Sequence, residues 1–114
     1  MRNAILGSEN LSHEVREAEI RTRLAVLKQR SYGELEALPE CSSEDVSVHG
    51  VAAHITTYRE GEPPGPLRII VQFSTSPRRF LGVFHIRQVT ARGFKVEPLG
   101  GTEGLSEEQL HYYM

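Results

Sequence analysis

Leu67-Arg-Ile-Ile-Val-Gln-Phe-Ser-Thr75 and, soon after it, Arg79-Phe-Leu-Gly-Val-Phe-His-Ile-Arg-Gln-Val-Thr90 alternate apolar and polar residues with a period of two. Successive side chains of a strand point to opposite faces, so Leu67, Ile69, Val71 and Phe73 share one side of the first stretch, and Phe80, Phe84 and Ile86 share one side of the second. Together they read as strands of an antiparallel sheet with one apolar face. Upstream, Val46-Ser-Val48 starts another period-two pattern that Gly50 interrupts with a bend or bulge, and strand character resumes over Val51–Arg59. Gly61-Glu-Pro-Pro-Gly-Pro66 is a loop, because its prolines and glycines fit no ladder. Ser76-Pro77 and Ala91-Arg-Gly93 read as turns, Phe94–Glu97 as a short strand, Cys41–Asp45 as a connection and Gly100–Gly104 as flexible linker.

Ahead of the sheet, Ser12 to Arg30 contains neither Gly nor Pro and is rich in helix formers, with Glu17/Arg21 and Glu19/Arg23 spaced to pair on a helix surface. A long helix over 11–30 follows. At 100° per residue it has two stripes, Leu11, Val15, Ala18, Thr22, Ala25 and Val26 on one side and Ile20, Leu24 and Leu27 nearly opposite. One stripe lies on the sheet; the other needs a terminal segment or a second subunit. Ser31-Tyr-Gly-Glu34 and Ser106-Glu-Glu-Gln109 both have the capping-box form, which places a short helix over 32–38, ended by Pro39, and a C-terminal one over 106–113.

The expected architecture is therefore one α+β domain spanning 1–114: a long N-terminal helix packed on a curved antiparallel meander of four to five strands over 46–97, with short second and C-terminal helices. A chain of 114 residues is long enough for one core and too short for two.

Composition narrows the function classes. A net charge of −2 gives no general attraction to nucleic acid or anionic membranes, a single cysteine makes no internal disulfide, and no stretch has the apolar run of a signal peptide or membrane helix, so the expected location is cytoplasmic. His13, Cys41, His49, His54, His85 and His111 lack the spacing of a metal motif, and no cofactor signature is present: Gly100-Gly-Thr-Glu-Gly104 has no lysine and no long helix after it. Cys41 stands beside an acidic stretch, the wrong setting for a reactive thiolate.

Charge is uneven along the chain. Between Glu34 and Glu62 lie seven acids against the lone cation Arg59, whereas Arg68 to Lys95 carries six cations and no acid. The aromatics that a single-stranded nucleic acid would stack on, Phe73, Phe80 and Phe84, fall on the core face, so the basic stretch is better matched to protein acids.

The second face of the sheet mixes His54, Tyr58, Arg68, Gln72, His85 and Arg87 with Ile70, Leu81, Val83 and Val89, a composition suited to a covered surface. Two readings follow. The leading one is a small non-enzymatic protein-interaction or assembly module, partnered by itself as a homodimer or by another protein, with Ile20, Leu24, Leu27, Ile70, Leu81 and Val83 at the interface. The alternative is a small-molecule or catalytic pocket on the concave face built from His54, Tyr58, Gln72, His85 and Arg87, in which imidazole would move protons and guanidinium would hold an anion. That face offers no nucleophile or carboxylate by parity, which weighs against an enzyme.

Overall fold

The first helix starts where Ser12 stops being helical: its backbone is extended and its hydroxyl accepts the Val15 N–H at 3.2 Å, giving α1 over His13–Lys28. The computed structural model describes residues 11–75, 78–80, 83–85 and 88–114, with the strands at 78–80 and 83–85 described by their backbone alone. A capping box then opens α2, Tyr32–Glu36. The Ser31 hydroxyl accepts the Glu34 N–H at 3.2 Å, and the Glu34 carboxylate accepts the Ser31 N–H at 2.9 Å.

The strands are β1 Cys41–Val48, β2 Val51–Glu60, β3 Leu67–Thr75, β4 Arg78–Phe80, β5 Val83–His85, β6 Val89–Val96 and β7 Thr102–Gly104. Five of them form one antiparallel meander sheet in the order β1-β2-β3-β6-β7, while β4 and β5 pair only with each other. The chain ends in α3, Glu107–Leu110, opened by the second capping box, and a 3-10 turn, His111–Tyr113. The α+β fold anticipated from the alternation is the one observed.

Four local expectations change. Cys41–Asp45 is the first half of β1 rather than a connection. The stretch Arg79–Thr90 is not one strand: β4 and β5 make a separate ribbon and β6 begins at Val89. Ala91-Arg-Gly93 runs straight through β6, and the Gly100–Gly104 linker turns at Glu97–Gly101 and then pairs as β7 with Phe94–Val96. Glycine misled the reading at Gly93, where it is required for close approach and not for a turn. A methyl group there would run into the Ile69 carbonyl oxygen and the main chain of Ile70. The Ser76-Pro77 turn lies outside the described residues.

Parity through β2 and β3 holds. Val51, Ala53, Ile55, Val71 and Phe73 meet Ile20 of α1 in one buried cluster; Leu67, Ile69, Phe94 and Val96 meet Leu35 of α2 in another. Leu24 and Leu27 pack against both clusters, so α1 bridges them. On the opposite face Ile70 and Ala91 are covered by Leu110 and Tyr113 from the chain's own C-terminal turn.

Polar contacts fix α1 on the sheet. The Arg16 Nε donates to Thr90 Oγ1 at 2.9 Å, Arg92 Nη2 lies 2.5 Å from Glu17 Oε2, and Arg23 pairs with Glu44 of β1. Glu17 and Arg23 thus reach across to strands, where the sequence reading had them pairing along the helix. The Gln88 side chain holds both main-chain groups of Leu11, accepting its N–H at 3.0 Å and donating to its carbonyl at 3.1 Å.

Candidate functional site: the second sheet face and the β1 edge

The residues expected to form a pocket separate into three groups. Tyr58 and Gln72 are brought together, but by the C-terminal turn: the Tyr58 ring centroid lies 4.9 Å from that of Tyr113, and Gln72 Nε2 donates to the Tyr113 carbonyl at 2.6 Å. His54 stands four residues along β2 from Tyr58, roughly 13 Å at strand rise, and its Nδ1 is 2.6 Å from Asp45 Oδ1 on β1. The side chains of His85 and Arg87 lie outside the described residues. Among the described residues three hollows are lined by side chains other than His54, Tyr58 and Gln72; one of about 380 Å³ lies between the Glu60–Gly61 bend and the neighbouring cations Arg68 and Lys95. Among the described residues no group of three or more histidine, cysteine or acidic side chains converges as a metal site would require.

Of the expected interface residues, Ile20 and Ile70 are wholly buried, while Leu24 and Leu27 are partly exposed and pack against both core clusters. Leu81 and the side chain of Val83 lie outside the described residues. The other stripe is divided: Leu11 and Val15 pack into the core, whereas Ala18, Thr22 and Ala25 are exposed and Val26 is 53% exposed. Its exposed part is small and weakly apolar.

A different surface stands open. β1 is one of the two edge strands of the five, eight residues long, and only Val46 and Val48 in it are half-buried or buried. Its hydrogen-bonding phase follows from the turn that closes it. His49 and Gly50 both have positive φ, 50° and 79°, the two-residue loop whose twist suits a hairpin. Such a loop closes on a hydrogen-bonded pair, Val48 with Val51, and hydrogen-bonded pairs recur at every second position: Val46–Ala53, Glu44–Ile55, Ser42–Thr57. The Arg59 N–H donating to the Glu40 carbonyl at 3.0 Å continues the same phase beyond the strand. The main-chain groups of Cys41, Ser43, Asp45 and Ser47 therefore point off the sheet. No backbone hydrogen bond from the described residues meets them.

This edge is acidic. Glu44 lies on the α1 face opposite Ile55, with 52% of its side chain exposed even though Arg23 pairs with it. Asp45 lies on the other face opposite His54 and is 88% exposed. The lone cation of the acidic stretch, Arg59, is turned to structural use, its Nε donating to the Leu38 carbonyl at 2.8 Å. The sequence reading missed the edge because serine and acid at 42–45 suggest a loop; the available signal was the short His49-Gly50 turn, which pairs the eight residues before it with the first eight of β2.

No helix among the described residues is long and apolar enough to cross a membrane. Comparison of the chain with protein-family models, curated proteins and solved structures finds no match in any of the three.

Proposed function

We propose that this chain is a small non-enzymatic protein-interaction module whose working surface is the outer edge of β1, where an extended segment of another protein adds a sixth strand. One observation carries the reading: an eight-residue edge strand whose main-chain donors and acceptors at Cys41, Ser43, Asp45 and Ser47 meet no backbone partner among the described residues. Unpaired strand edges are templates for further pairing, and strand addition draws its affinity from such groups. The rest of the molecule supports a scaffold role, since both faces of the central strands are already covered, one by α1 and α2 and the other by the C-terminal turn.

The test is amide hydrogen exchange on the isolated chain and with binders selected from a library of extended peptides. The Ser43 and Asp45 amides exchange fast in the free chain and slow on binding, and Ser43→Pro abolishes binding. Proline there removes an outward donor and leaves the β1–β2 ladder bonds in place; it also removes the 2.6 Å hydrogen bond between the Ser43 and Thr56 hydroxyls, so Ser43→Ala, which loses that bond alone, is the control and keeps binding. Slow exchange of those amides in the free chain, or binders indifferent to Ser43→Pro, overturns the proposal.

A further inference from the structure

We infer that the strand taken up at β1 belongs to a different protein and carries two consecutive cationic residues at its centre. This rests on the edge reading above and adds the chemistry of the partner.

The exclusion of a second copy is geometric. An antiparallel partner must present its own outward groups to those of β1, so in a symmetric pair odd-numbered residues of 41–47 face odd-numbered ones. Two such registers use nearly the whole strand. In one, Glu44 stands directly opposite Glu44; in the other, Asp45 stands opposite Asp45. Like charges directly opposed across a ladder are destabilising, and both carboxylates stay exposed at the edge, Glu44 at 52% and Asp45 at 88%, even with Arg23 and His54 beside them. Shifting the register to escape them shortens the overlap to about five residues a side and forfeits the outer hydrogen bonds.

A foreign strand has no such conflict, and the acids specify it. Glu44 and Asp45 are adjacent in sequence and so project to opposite faces of the sheet. Cations matching both must likewise be adjacent: the residue opposite Asp45 meets a carboxylate on the His54 side, and its neighbour meets Glu44 beside Arg23 on the α1 side. On either side of this dibasic step the strand passes Ser42, Ser43 and Ser47, which favour small or β-branched uncharged residues. An acidic or neutral strand loses the two ion pairs and their steering of the encounter.

Three eight-residue peptides test this, Thr-Val-Thr-Lys-Lys-Thr-Val-Thr and the same sequence with Gln-Gln or Glu-Glu at the centre, using calorimetry for affinity and amide exchange for location. The dilysine peptide binds about tenfold more tightly than the diglutamine one, the size expected of two partly exposed ion pairs. The advantage shrinks between 50 and 500 mM salt, as screening requires. In an E44Q/D45N variant of unchanged circular dichroism and melting temperature the ratio falls to about one. Equal binding of all three peptides with β1 amides protected leaves the edge reading standing and overturns the dibasic inference. No protection of β1 amides by any peptide overturns both. Concentration-dependent protection of those amides in the absence of peptide shows self-pairing and overturns the choice of partner.

Discussion

At Gly93 a single hydrogen atom decides the packing of two strands. The residue pairs with Ile70 in the middle of the sheet, and the space that a Cβ would need is occupied by main chain, which cannot move aside as a flexible side chain can. Gly93→Ala is therefore expected to destabilise the fold by about 1–3 kcal/mol, the cost of overpacking, measured as a lower midpoint in urea with an unchanged slope. Glu34 makes a second residue-scale prediction. Its carboxyl is held below the ordinary range first by the hydrogen bond from the Ser31 main chain, then by that with the Ser31 side chain, with Arg30 adding a smaller favourable charge. A depressed value in the folded state means a contribution fully present above the unfolded-state value and lost as pH falls through the folded-state one. Urea midpoints measured from neutral to acid should thus fall less steeply for Glu34→Gln, which keeps an acceptor but not the charge. Parallel curves for the two proteins would contradict the assignment.

Among the elements, α1 is the one whose burial is most concentrated. Ile20 is the one wholly buried residue of the helix, in the same core cluster as Val71 and Phe73, while Leu24 and Leu27 lie partly exposed at the seam of the two core clusters. Ile20→Ala is expected to cost about 2–5 kcal/mol and Val26→Ala less than about 0.5, a contrast that denaturant unfolding of the two variants resolves. That contrast also shows what a sequence can disclose. Parity identified the helix-facing core of β2 and β3 because Val51, Ala53 and Ile55 and then Leu67, Ile69, Val71 and Phe73 are all buried, although Ile70 and Ser74 on the other face of β3 are buried too. Both capping boxes were equally legible, since a serine and an acid or amide three residues on satisfy each other without tertiary help. What stayed hidden depends on distant partners. Which stripe of α1 faces the sheet is set by Thr90, Arg92 and Glu44, residues far along the chain. Likewise β1 and β7 are strands because β2 and β6 offer them ladders, not because Ser42–Asp45 or Thr102–Gly104 has strand propensity of its own.

For the molecule as a whole, the layers formed by the described residues leave one long side unpaired. α1 and α2 cover one face and the C-terminal turn covers the centre of the other, while the far edge ends in a β7 only three residues long. Short edge strands are poor templates, which is why the proposed strand addition is placed at β1 and not at β7. Natural edges of this length are commonly guarded by charge, and Glu44 and Asp45 stand at the middle of β1, where they oppose themselves in either long symmetric register. The guard makes a prediction distinct from partner binding. Replacing both acids in E44V/D45T gives β1 two β-branched residues and removes the repulsion, so this variant is expected to self-associate at micromolar concentration in sedimentation velocity while the parent chain does not do so through β1. Adding Ser43→Pro to the double variant removes an outward donor from the new contact and should return it to the parent's behaviour. Association that survives the proline would place the contact on another surface, and the acids of β1 would then be answering to something other than the danger of their own edge.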